Sequence, residues 1–112
     1  MDSILTSIKK LLGVSEEYTD FDPDIIMHIN SVFMILTQMG VGPNTGFRIE
    51  DETSKWTDFM ADELKLEGVK SYIHLKVKLL FDPPLNGAVR ESTEQLIKEL
   101  EWRLYTGAES EV

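Results

Sequence analysis

A chain of 112 residues with 42% hydrophobic content holds enough apolar side chains for one modest core, and too many for a disordered segment. Its formal charge of −9 argues against a nucleic-acid binder, which needs clustered Lys and Arg, and suits solubility or a partner with a basic surface. Without cysteine there is no disulfide framework, no thiolate metal site and no cysteine nucleophile, a composition that fits a reducing cytoplasm.

The first predicted helix runs from Ser3 to Leu12. Ile4, Leu5, Ile8, Leu11 and Leu12 mark one face, Ser3 is placed to cap it and Gly13 to stop it. So short a helix is marginal alone, so its apolar face docks on the chain's own core, a partner or a membrane surface. The Asp20, Asp22, Asp24 spacing resembles the opening of a calcium loop, but Ile25 stands where such a loop needs glycine and Pro23 stiffens its middle. A helix start explains it better: Asp22 as cap, Pro23 at the first position, Asp24 on the positive end of the dipole, with Phe21 stapled to Met27 or its neighbours.

The second helix is predicted from Pro23 to about Met39 and ended by Gly40. Ile25, Ile26, Ile29, Val32, Phe33, Leu36 and Met39 form its stripe, widened by Met27, Met34 and Ile35. So broad a surface implies burial on two sides, within the monomer or against another subunit, with the methionines read first as core gap-fillers and second as adaptable contacts at an irregular interface. Residues 41–46 are turn-rich, Phe47 to Ile49 alternate as a short extended piece, and Thr53 or Ser54 is placed to cap a short helix carrying Trp56, Phe59 and Met60. Residues 62–68 read either as a loop or as the join into the next helix, with Gly68 in its first turn.

A long central helix follows, its face marked by Val69, Tyr72, Ile73, Lys76, Val77, Leu80 and Phe81, with Leu75 and Leu79 on a second face and Lys70, Lys76 and Lys78 giving it basic character. Asp82-Pro83-Pro84 stops it and reverses the chain. Asn86 is placed to cap a last helix from Gly87 to Tyr105, with Val89, Thr93, Leu96, Ile97, Leu100 and Leu104 along one face and favourable pairs at Glu94–Lys98 and Glu99–Arg103. Trp102 and Tyr105 fall off that stripe, as packing edges or as an aromatic contact for a partner. The fold class is therefore all-α: one domain over residues 1–106, a small bundle of four to five helices with a long central and a C-terminal helix. Residues 107–112 read as a short, acidic, flexible tail.

No catalytic constellation emerges. His28 and His74 both sit in predicted helices without companion ligands, no serine carries a nucleophile-elbow signature, and residues 40–46 lack the lysine of a phosphate loop. No metal, cofactor or catalytic residue is expected. The N-terminus lacks the form of a secretion signal, and no apolar stretch approaches the roughly 20 residues of a membrane span.

The block from Phe21 to Gly42 with its Ile-Ile-Met-His-Ile-Asn core, the Trp56-Thr-Asp-Phe59 segment and the run Val77-Lys-Leu-Leu-Phe-Asp-Pro-Pro84 resemble the head–tail connector (adaptor) proteins of long-tailed phages and of prophages in Gram-positive bacteria. The resemblance spans nearly the whole chain and implies a non-enzymatic virion protein of the neck, made in the host bacterial cytoplasm. It implies a ring assembled on the portal protein, which extends the DNA channel and offers the docking platform for the stopper or tail-completion protein. DNA would pass without specific binding. Trp102, Arg103 and Tyr105 are the first candidates for partner contact, and Phe47 and Arg48 in the turn-rich connection are the second. The alternative from another class is a small acidic helical regulator that binds one host protein.

Overall fold

The computed structural model describes residues 3–109. Five helices account for most of them: α1 (Ile4–Leu12), α2 (Asp22–Gln38), α3 (Trp56–Phe59), α4 (Glu63–Phe81) and α5 (Gly87–Glu109), with no strand among the described residues. The all-α bundle with a long central helix is thus the observed architecture. Helix α4 is the hub, packing on α1, α2 and α5, while α1 and α2 also meet each other. The molecule measures 40 × 36 × 20 Å. Its thin dimension is about two helix diameters, so a helix lying on α4 keeps one face toward solvent.

The boundaries follow local chemistry. Ser3 Oγ accepts from Thr6 N at 3.2 Å and Gly13, at φ 80°, returns its amide to the end of α1. Ile4, Leu5 and Ile8 are buried, so α1 docks on the chain's own core, although Leu11 is exposed. Asp22, expected to cap α2, is instead its first residue, and its carboxylate pairs with Lys9 Nζ at 2.8 Å. Lys9 is itself only 2% exposed and also donates to the carbonyls of Glu16 at 3.0 Å and Tyr18 at 2.8 Å. One buried ammonium thus gathers the whole α1–α2 connection, which makes the carboxylate worth more as a counter-charge than as a cap. The Phe21 ring packs edge-on between Tyr18 and Phe81, each at 5.3 Å.

Neither Thr53 nor Ser54 caps α3. Lys55 does so by backbone, its amide donating to Asp58 Oδ2 at 2.8 Å, and the Trp56 indole donates to Ser7 Oγ at 3.2 Å. Residues 62–68 join α4 outright, because Asp62 Oδ1 accepts from Leu64 N and Lys65 N at 3.0 and 3.2 Å. Gly68 therefore lies in the second turn, not the first. Asn86 caps α5 as expected, accepting from Ala88 N at 2.8 Å.

The core comprises Ile4, Ile8, Ile25, Ile29, Val32, Phe33, Leu36, Trp56, Val69, Tyr72, Ile73 and Val77 among others. Leu80, Val89 and Leu96, placed on buried stripes by periodicity, are exposed. The last helix continues through Glu109, and Gly107 and Ala108 are half-buried, so residues 107–109 are helix where a tail was expected. Residues 110–112 of that tail lie outside the described residues.

Candidate interaction surfaces

The orientation of α5 is set at one joint. Tyr72, 0% exposed, donates its hydroxyl to Glu101 Oε2 at 2.7 Å, and the same oxygen lies 3.7 Å from Lys76 Nζ. Burial, and then the Glu101 hydrogen bond and charge, push the Tyr72 phenol above its ordinary pKa. Ile97 is buried beside this joint, Leu100 and Leu104 are half-buried, and Leu104 reaches the bare backbone of Gly68. The second half of α5 is thereby fixed on α4. Its first half is held less closely: from Gly87 to Leu96 every residue except Thr93 is exposed, although Val89 and Thr93 border a cleft with Leu75 and Leu79 of α4.

This pinning decides what α5 shows. Trp102 stays 66% exposed and Tyr105 47% exposed. Arg103 is also exposed, in a loose pair with Glu99 at 3.8 Å. Successive helical residues diverge by about 100°, so Trp102 and Arg103 serve different faces, while Tyr105, three residues on, returns toward the Trp102 side. Arg103 looks instead along the line of Val89 and Leu96, two apolar residues two turns apart. Its base also borders a cleft formed with Gly40, Val41 and Gly42.

A second surface lies on α2. From Ile25 to Gln38 this helix carries no Asp, Glu, Lys or Arg, in a chain where 28% of residues are charged. Its outward ridge is Met27, Ser31, Met34 and Gln38, all exposed. Its two methionines are 58% and 59% exposed, against the core gap-filling reading and in keeping with the alternative of adaptable contacts. An uncharged, methionine-bearing ridge has the composition of an interface centre, since desolvating it leaves no unpaired charge.

The connection between α2 and α3 is held rather than loose. The Asn30 side chain grips the Ile49 backbone from both sides, accepting its amide at 2.8 Å and donating to its carbonyl at 2.9 Å. Phe33, Phe47 and Phe59 form a trio with centroids 4.9 to 5.3 Å apart. Gly42, at φ 88°, lies under this trio, and an added Cβ would collide with the Phe59 ring at Cε1. Phe47 is therefore half-buried in packing, and what the connection offers a partner is Arg48, exposed and 3.9 Å from Glu50. The structure does not bring Arg48 together with Trp102.

The lysines of α4 are mostly answered from within. Lys70 sits 5.5 Å from the Trp56 ring centroid, Lys76 meets Glu101, and Lys78 lies 3.7 Å from Asp82. His74 is half-buried with Nε2 lacking a hydrogen-bond partner among the described residues, and burial followed by the Lys78 charge lowers its pKa. Among the described residues no cluster of His, Asp and Glu is arranged to hold a metal ion. The arrangement offers contact surfaces. Asn30 and Lys9 went unnoticed in the sequence because a polar residue inside an apolar run signals burial only once its distant partner is known.

No described helix is long and apolar enough to cross a membrane. Searches among curated proteins and among solved structures returned no significant match. A family model described as phage connector protein matches residues 4–111, which covers the whole bundle and both exposed surfaces. The chain therefore belongs to the phage connector protein family, and its role is that of a structural virion component in contact with other virion components.

Proposed function

We propose that this chain is a head–tail connector: copies assemble as a ring beneath the portal, prolong the DNA channel, and present the platform on which the stopper or tail-completion protein docks. Beyond family membership, the observation that carries this reading is the uncharged outer ridge of α2. An uncharged ridge with two exposed methionines suits a subunit that buries both sides of α2 against its neighbours.

Trp102 and Tyr105, on the outer side of the pinned half of α5, form the portal contact, because exposed aromatics anchor interfaces well. Arg48 marks a second contact at the ordered connection. The net charge of −9 suits a conduit wall, which repels duplex phosphates and binds no particular sequence. The protein would be made in the bacterial cytoplasm and end in the neck of the particle.

The test is to tag the chain, induce phage production in the source cells, and identify what co-purifies by mass spectrometry, with electron microscopy of the eluate. Portal protein and ring-shaped or tailed particles are expected. Recovery of one host protein with no virion component would replace this reading with that of a regulator.

A further inference from the structure

Asn86, the cap of α5, is followed by Gly87 in a segment where every residue from Leu85 to Ser92 is exposed. Glycine has no side chain to shield its amide nitrogen, so an asparagine before it can fold its side-chain amide carbon onto that nitrogen. Gly87 has nothing within 4 Å of the place a Cβ would take, and its amide donates to no backbone acceptor among the described residues. The positive end of the α5 dipole falls on this amide and favours the nitrogen anion that ring closure needs. What restrains Asn86 is its own cap: Oδ1 accepts from Ala88 N at 2.8 Å and from Val89 N at 3.2 Å. Those bonds last only while the first turn of α5 is formed. That turn buries no side chain, so its opening costs little. The other asparagines are placed differently. Asn30 is bound on both sides to Ile49, and exposed Asn44 precedes the β-branched Thr45.

We propose that Asn86 is a site of spontaneous deamidation in the folded chain, reached when the first turn of α5 opens. The Gly87 nitrogen gives its proton to solvent and attacks Cγ of Asn86. A bond from this nitrogen to Cγ forms, the Cγ–Nδ2 bond breaks, and ammonia leaves with a proton from solvent. Water then opens the cyclic imide. Cleavage at Cγ gives aspartate, and cleavage at the backbone carbonyl carbon gives isoaspartate. One water enters and one ammonia leaves, with no redox change. The two products act differently on α5. Aspartate caps as well as asparagine does and places a negative charge at the positive end of the dipole. Isoaspartate runs the backbone through the former side chain, which adds a methylene and moves the carboxylate off the cap position. An aged subunit thus carries added negative charge and, in the isoaspartate form, an uncapped α5. The site is independent of the connector role.

The test ages the full chain in warm, mildly alkaline buffer, folded and in denaturing urea. Mass spectrometry follows the tryptic peptide Leu79–Arg90, and methyl uptake with an isoaspartyl methyltransferase counts isoaspartate. The folded chain should lose the Asn86 amide at a rate within about ten-fold of the unfolded chain, as for a fraying helix end, while Asn30 is retained. Gly87→Ala, which has open space, should slow the loss in both states to that of Asn44. Asn86→Ser keeps a cap and should abolish the methyl uptake that the parent shows. Aged, isoaspartate-rich protein should melt about 4 °C below fresh protein, the shift expected for a lost cap. If the folded chain keeps Asn86 while the unfolded chain loses it, the cap protects the site and the proposal is overturned. Equal loss from Gly87→Ala and the parent in urea, where folding plays no part, would overturn the chemistry.

Discussion

The Tyr72 hydroxyl donates to Glu101 Oε2 at 2.7 Å from a fully buried ring, a polar tie between α4 and α5. Glu101→Ala strands a buried donor and should cost about 1–3 kcal/mol, whereas Tyr72→Phe removes the donor itself and should cost about 1 kcal/mol. Urea unfolding of both variants checks the order, and equal losses would count against the asymmetry.

The same tie has a pH signature. The Tyr72 pKa is raised in the folded chain, so its contribution is complete below the unfolded value near 10 and is lost as pH climbs toward the folded value. The parent should lose stability above about pH 10 more steeply than Tyr72→Phe, as read from melting temperatures across that range.

His74 acts with the opposite sign. Its folded pKa is lowered by burial and by Lys78, so its contribution is present above the unfolded value of about 6.5 and is lost as pH falls below it. His74→Gln should flatten the loss of stability between about pH 7 and 5. An unchanged slope would assign that loss to carboxylates.

Lys9 is held by two carbonyls and Asp22. Asp22→Asn leaves a buried ammonium without its counter-charge and should cost about 3 kcal/mol, while Lys9→Met, which removes the charge altogether, should cost less than Lys9→Ala. Proteolysis between α1 and α2 should rise in all three variants.

Gly42→Ala should be the most damaging of the glycine changes, because the new methyl meets the Phe59 ring as well as an unfavourable φ. Gly46→Ala, with positive φ but open space, should cost about 1–2 kcal/mol. Gly68→Ala, in ordinary contact with Leu104, should be neutral or stabilising by up to about 1 kcal/mol. The three variants compared by chemical denaturation give the ranking.

What periodicity could show was which helices exist, since Ile25 to Leu36 and Val69 to Val77 repeat at helical spacing whatever surrounds them. It could not show how many sides of a helix are covered. Met27 and Met34 sit in an apolar run that reads as core, and only the thin, two-layer build leaves them outside. Caps were legible where one side chain serves its own helix, as at Ser3 and Asn86. They were misread where a distant charge competes, as Lys9 does for Asp22. Of the proposed contact residues, Trp102 lies off the stripe, a position that fits a packing edge as well as a contact, and only the structure shows it exposed. The divergence of Arg103 from it required knowing that Tyr72 fixes the roll of α5.

That fixed roll divides α5 into two thermodynamic segments. Amide hydrogen exchange should be slow from Ile97 onward, where buried side chains hold the helix, and faster from Gly87 to Glu94, where the side chains are mostly exposed and the Asn86 cap is the chief restraint. A neighbour that seats on the fast segment must first order it, and this conformational entropy subtracts from the affinity of every subunit contact. Single contacts would therefore be weak and reversible, and only a closed set of them, held on a common template, would persist.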